Sequence, residues 1–208
     1  MARKRRERGF KLRYAVLGEG ITEQWYLTHL KKYKNYRFSI KPSLFADISL
    51  EKAERFIDEL LDGGCDHITF LTDYDTVLSQ GKHGKFNELV NRYKDIEEVL
   101  ICDSMPSIEI WFLLHFVFTT QEFPTFETLK KVLERELPGY EKSRKYLEKE
   151  GWFETLIGNG GFEKARGHSN RLLRQLAEGN VGQHFPFTKM PLAIDAFEKQ
   201  RSDKFGED

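Results

Sequence analysis

Two short apolar runs, each closed by an acidic turn, constrain this chain most. Tyr14-Ala-Val-Leu17 leads into Gly18-Glu-Gly-Ile-Thr-Glu23, and His67-Ile-Thr-Phe-Leu71 leads into Thr72-Asp-Tyr-Asp75. Such runs read as buried strands of an α/β sheet, where ligands bind beyond the C-terminal ends of the strands. The carboxylates fall at those ends. Gathered there they repel one another and add little to stability. They do suit Mg²⁺, a hard cation that takes oxygen ligands, and through it phosphate chemistry.

The rest of the first half continues the rhythm. A strand over 11–17 passes through the Gly18-Glu19-Gly20 turn into a helix over 22–32, and residues 37–41 alternate as a second strand. Ser49 is placed to cap a helix running to residue 61, which Asp62-Gly-Gly64 stops. The third strand closes at Asp73, a loop holding Gly81 and Gly84 follows, and a helix covers 86–93. Glu98-Val-Leu-Ile-Cys102 is the fourth strand. This βαβαβαβ order predicts a mostly parallel sheet with right-handed crossovers and helices on both faces.

Pro106 suits the first turn of a buried helix over 108–118. After Phe123-Pro124, helical patterns occupy 125–137, 141–150, 161–178 and 190–202. The expected organisation is a basic arm at 1–10, an α/β core at 11–122 and a helical C-terminal subdomain at 123–208 packed on that core.

The 33 basic and 33 acidic residues cancel, so net charge alone demands no nucleic-acid partner. Residues 2–13 are nonetheless strongly basic, as a phosphate-contacting arm or a frayed, solvated terminus would be. No stretch is apolar enough to span a bilayer and no hydrophobic signal region is seen, so a cytoplasmic protein is expected. Cys65 and Cys102 form neither a metal pattern nor a disulfide framework, and the histidines show no zinc spacing. There is no Walker A motif, so nucleotide hydrolysis would belong to a partner.

Gly18-Glu19-Gly20 invites a dinucleotide reading, which fails: Glu23 stands at the third glycine position, and a glutamate would repel a pyrophosphate. Glu19 is then either an exposed turn residue or a ligand. Glu23 either favours the positive end of its helix or joins the site. Asp73 and Asp75 are harder to read as structural, because two carboxylates on one apolar strand find no neutralising partner nearby in sequence. Tyr74 between them would point away from their face if the strand persists. His115 reads as a core histidine or a catalytic acid, and Lys142 as an exposed lysine or a phosphate contact.

Residues 17–30 and 70–75 resemble the catalytic elements of Toprim domains, which carry a glutamate after the first strand and Asp-x-Asp after the third. A third segment narrows the resemblance. Ser104-Met-Pro-Ser-Ile-Glu-Ile-Trp-Phe-Leu-Leu-His-Phe116 is similar to the Ser-Asn-Pro-Cys-Phe-Glu-x-Trp-x-Leu-Leu-His-Phe signature of RloB-like proteins, which include the AbiLii abortive-infection component. The similarity continues through Leu137-Pro-Gly-Tyr-Glu-Lys142.

The resemblance implies a Toprim-like, Rossmann-type fold and a Mg²⁺- or Mn²⁺-dependent nuclease of phage defence, working beside an ATPase of the SMC/ABC-like type. It implies Glu19 as the catalytic glutamate, Asp73 and Asp75 as the metal pair, which Glu19 would join, and Glu109 as the signature glutamate; Glu23 is added as a further acid of the site from its place beside Glu19. Ser104 and His115, beside Glu109 in the signature, and Lys142 are the candidate phosphate contacts. Met105 replaces the signature asparagine, and Phe185-Pro-Phe-Thr188 stands where Asn-Pro-Ser-Thr is usual. Three functions follow as expectations: a DNA or RNA nuclease, a small ribonuclease maturing structured RNA, or a catalytically weak subunit regulating an ATPase. A homo-oligomer is left open.

Overall fold

The computed structural model describes residues 13–36, 38–40 and 49–202. The basic arm and the ends of the expected second strand, Arg37 and Lys41, lie outside the described residues. Five strands form one sheet in the order β2-β1-β3-β4-β5: β1 (Tyr14–Gly18), β2 (Ser39–Ile40), β3 (His67–Asp73), β4 (Val99–Met105) and β5 (Phe187–Thr188). The first four run parallel, and β5 pairs antiparallel with the end of β4. All of β1 and the middle of β3 are buried, as expected for strands covered on both faces.

The crossover helices match their sequence signals. Ser49 caps α2 (Leu50–Asp62) by accepting a hydrogen bond from the Lys52 amide. Gly64 takes the left-handed conformation just beyond that helix, at φ 69°. Helix α1 (Ile21–Lys34) follows the Glu19 turn. Helix α4 (His83–Tyr93) is tied to α2 by Arg92, which pairs with Glu54 and Asp58, and by the Tyr93 hydroxyl on Asp58.

Four local expectations change. Beyond Asp73 the chain enters a short helix, α3 (Tyr74–Ser79), where a loop was expected. Tyr74 therefore leaves the strand and packs on Phe86 and Phe187, with ring centroids 5.4 and 6.0 Å away. Strand β4 runs three residues past Cys102, because β5 pairs with its end: Ser104 faces Thr188 and Met105 faces Phe187. Pro106 accordingly ends a strand instead of opening a helix, and the buried helix shortens to α5 (Glu109–Leu114). In the expected 141–150 helix only α7 (Arg144–Leu147) forms, with α8 (Gly151–Ile157) after it. Helices α6 (Phe126–Glu136), α9 (Gly161–Glu178) and α10 (Met190–Ser202) stand as expected.

The hydrophobic core runs from the sheet into the C-terminal half. Trp111 on α5 is fully buried and donates its indole N–H to Tyr26 of α1 at 2.6 Å. Phe112 sits 5.3 Å from both Tyr26 and Trp152. Each such ring contributes roughly 1.5–3 kcal/mol by leaving water. Helix α5 is buried along its whole length, which fixes whatever its first residue, Glu109, faces. Cys65 and Cys102 are free thiols. Among the described residues no helix is long and apolar enough to cross a membrane.

A candidate active site: the carboxylate cleft

A cleft of about 660 Å³ opens beyond the C-terminal ends of β1 and β3, the place the topology reserves for ligands. Glu19, Glu23, Asp73 and Lys142 line it, together with Gly20, Thr76, Gln80 and Lys82. Each is placed by a different element. Glu19 follows β1 directly, Glu23 lies in the first turn of α1, and Asp73 is the last residue of β3. Gly20 has a steric reason: a Cβ there would stand 3.1 Å from the Glu23 Oε2 oxygen.

The acids are held in an environment that resists their ionisation. Burial, with Glu23 and Asp75 adding to it, pushes the Glu19 carboxyl up to about 7, against hydrogen bonds from the Thr72 hydroxyl and the Asp73 amide. Burial also pushes Glu23 up to about 7; Lys142 opposes this and Glu109 adds to it. Its Oε2 atom is buried with no hydrogen-bond partner. Asp73 is raised well above the usual carboxylate range by burial, then by Glu23 and Glu109. Its Oδ1 accepts the Ile108 amide at 2.9 Å, leaving Oδ2 toward Lys142.

Lys142 arrives on the loop between α6 and α7. Its Nζ lies 3.2 Å from Glu109 Oε1, 3.8 Å from Asp73 Oδ2 and 4.6 Å above the Phe126 ring. Burial disfavours its charge, yet Glu109, Asp73 and Glu23 outweigh that and raise its pKa. Glu109 is fully buried and does not line the cleft. It accepts hydrogen bonds from Ser107 at 2.6 Å, Tyr140 at 2.9 Å and Thr22 at 3.3 Å.

The Asp-x-Asp pair divides. Asp73 faces the cleft, whereas Asp75, in the first turn of α3, accepts the Phe126 amide at 3.2 Å and so holds the start of α6. Ser104 bonds to Thr188 at 2.8 Å on the β4–β5 seam. His115 lies in the core beside Trp111 and Phe162, its Nδ1 on the Trp111 carbonyl, and burial pushes its pKa down to about 4. Neither lines the cleft. Met105, Phe185 and Phe187 are buried and do not line the cleft, although Met105 follows Ser104, the β4 partner of Asp73, and Phe187 packs on Tyr74. Thr72 and Tyr140 are the partners that sequence reasoning missed, although Tyr140 lies only two residues before Lys142.

The cleft's protein oxygens suit a hard cation, and Mg²⁺ commonly takes only one or two carboxylates and completes its shell with water and phosphate. Glu19 and Asp73 are the residues placed to serve in that way. Among the described residues no group of three or more His, Cys, Asp or Glu side chains is arranged as a metal cage.

No curated protein and no solved structure matches this chain. The model of the family described as RloB-like protein matches residues 14–197, a span that holds the sheet, the cleft acids, Glu109 and Lys142, and the chain is a member of the RloB-like family.

Proposed function

We propose that this chain is a Toprim-type nuclease, dependent on Mg²⁺ or Mn²⁺, that hydrolyses phosphodiester bonds in DNA or RNA. One observation carries the reading. Three carboxylates line a cleft beyond two parallel strands with two lysines, of which Lys142 stands among the acids, and one buried carboxylate oxygen has no partner. Such an excess of buried negative charge costs stability unless a cation or a proton offsets it. Resident structural ion pairs are normally balanced; this one is not.

A bound divalent ion would lower the pKa of an attacking water and offset charge on the phosphate. Asp73 and Glu19 would hold it. Asp73 is fixed by the Ile108 amide through one oxygen, and its second oxygen, 3.8 Å from the Lys142 ammonium, is the one that would meet a ligand. Glu19, held near neutrality by burial when no metal is present, would be drawn to its ionised form by the cation that it helps to hold. Lys142 would supply a positive charge to a phosphate oxygen, its ammonium resting over the Phe126 ring. Asp75 contributes by holding Phe126 in place.

The setting we propose is cytoplasmic phage defence, with a partner ATPase of the SMC/ABC-like type. The reading is tested by cleavage of supercoiled plasmid, linear DNA and structured RNA with Mg²⁺ or Mn²⁺. Cutting that vanishes in Asp73→Asn and Glu19→Gln supports it; cutting unchanged in Asp73→Asn sinks it. Preference for structured RNA over both DNAs would point to the RNA-maturing form of the same chemistry.

A second reading, a catalytically weak subunit of an ATPase complex, draws on Met105 and Phe185-Pro-Phe-Thr188, which stand where the family signature carries asparagines. It expects Mn²⁺ binding without cleavage, and an altered rate of ATP hydrolysis when the ATPase is added.

A further inference from the structure

Lys142 is held from two sides that differ in kind. On one side is Glu109, 0 % exposed and pinned by three hydroxyl donors, so it can neither swing out nor meet a ligand. On the other is Asp73, which lines the cleft and meets the ammonium at 3.8 Å, the looser of the two contacts. The loop that carries Lys142 is itself anchored through the buried Tyr140, whose hydroxyl also ends on Glu109. The ammonium is therefore tethered at a fixed point while its contact with the cleft is replaceable.

We propose that Lys142 is a built-in counter-ion of the cleft, competing with a divalent cation for Asp73 and turning to the phosphate once that cation has bound. This rests on the function proposed above. The competition follows from charge and place. An ammonium beside Asp73 and Glu23 already neutralises part of what would attract a metal, so the cleft binds a first metal ion more weakly than its acids alone would. When a cation takes Asp73, Glu109 keeps the ammonium in the cleft, where its free N–H donors point to whatever anion arrives. Metal and phosphodiester then bind cooperatively, each removing a reason for the other to stay away, and the coupling is reciprocal.

The test is Mn²⁺ binding, measured by calorimetry on the full chain without nucleic acid. Lys142→Met is expected to bind Mn²⁺ at least about fivefold more tightly than wild type, the lower end of ordinary coupling between sites. Lys142→Arg is expected to keep wild-type affinity. Lys82→Met, which removes another lysine from the cleft wall, is expected to change affinity less than twofold, the control for net charge. If Lys142→Met does not fold, Lys142→Gln is read in the same way. Asp73→Asn loses the binding in every case.

The outcomes separate the two claims. Equal affinity in wild type and Lys142→Met, with loss in Asp73→Asn, overturns the counter-ion and leaves the proposed function standing. A gain in Lys82→Met as large as in Lys142→Met also overturns it, assigning the effect to general charge. No Mn²⁺ binding by wild type or by Lys142→Met overturns both.

Discussion

Two lysines in this molecule meet aspartates, one buried and one at the cleft, and they do opposite things. Lys189 pairs with Asp103 at 2.6 Å, one cation to one anion, just before α10 begins. The Lys189 amide also donates to the Asp103 carbonyl, so the pair fastens α10 and β5 to strand β4. Lys142 meets Asp73 at 3.8 Å and is shared among Asp73, Glu109 and Glu23. Exposure does not tell them apart: the lysine side chains are 30 % and 33 % exposed. The balance of charge does. A closed pair stabilises an element, whereas an overdrawn one keeps a demand for further positive charge, which is what a ligand site needs.

The comparison breaks most sharply at the two aspartates. Asp73→Asn is expected to lower cleavage by roughly 100-fold or more, the scale of losing one electrostatic contact to the transition state. Its thermal unfolding in chelator should be unchanged or raised, because repulsion with Glu23 and Glu109 is relieved. Asp103→Asn should do the reverse. It is expected to cost roughly 2 kcal/mol in chemical denaturation, below the value for a fully buried pair because Lys189 reaches solvent. Cleavage per folded molecule should stay at the wild-type rate. Equal loss of activity in both variants would erase the distinction.

A smaller effect follows from acidity. Burial raises Glu19 and Glu23 from the ordinary 4.5 to about 7 in the folded protein. The folded state thus binds more protons than the unfolded chain between those values, and stability falls as pH rises through that window. The contribution is fully present below about 4.5 and gone above about 7. Metal-free wild type should therefore lose several degrees of Tm from pH 5 to pH 8 relative to Glu23→Gln. Parallel Tm curves for the two proteins would show that the cleft stores no such strain.

The smallest predicted effect tunes one group. The Thr72 hydroxyl lowers the Glu19 pKa. In Thr72→Val, nearly isosteric and buried, the acid limb of the pH–rate profile should move to higher pH by a fraction of a unit to one unit. A shift to lower pH would contradict the assignment of that hydrogen bond.

Much of the fold was legible because its signals are local. The apolar runs, the Ser49 cap and the Asp62-Gly-Gly64 stop each act within a few residues, and all mark real boundaries. Strand β5 was not legible: two residues carry no periodicity, and Phe187–Thr188 becomes a strand only because the end of β4 offers it a partner. That same pairing lengthened β4 and moved Pro106 from a helix start to a strand end. Helix α3 was hidden for a related reason. Asp-Tyr-Asp-Thr reads as a polar turn, and Tyr74 is drawn out of the strand by the aromatic side chains of Phe86 and Phe187, contributed from distant parts of the chain.

For the site, the sequence alone determined which acids end the strands, since strand ends are set by the apolar pattern that precedes them. It also marked Glu109 and Lys142 through their motifs. Only the tertiary structure decided their division of labour. Asp73 and Asp75 are two residues apart, yet the turn into α3 sends one to the cleft and the other to the start of α6. Glu109 and Lys142 are 33 positions apart and meet because Tyr140 and α5 are buried in one core. Burial and charge balance are properties of many segments packed together. They separate an acid that faces the cleft from one that holds a lysine.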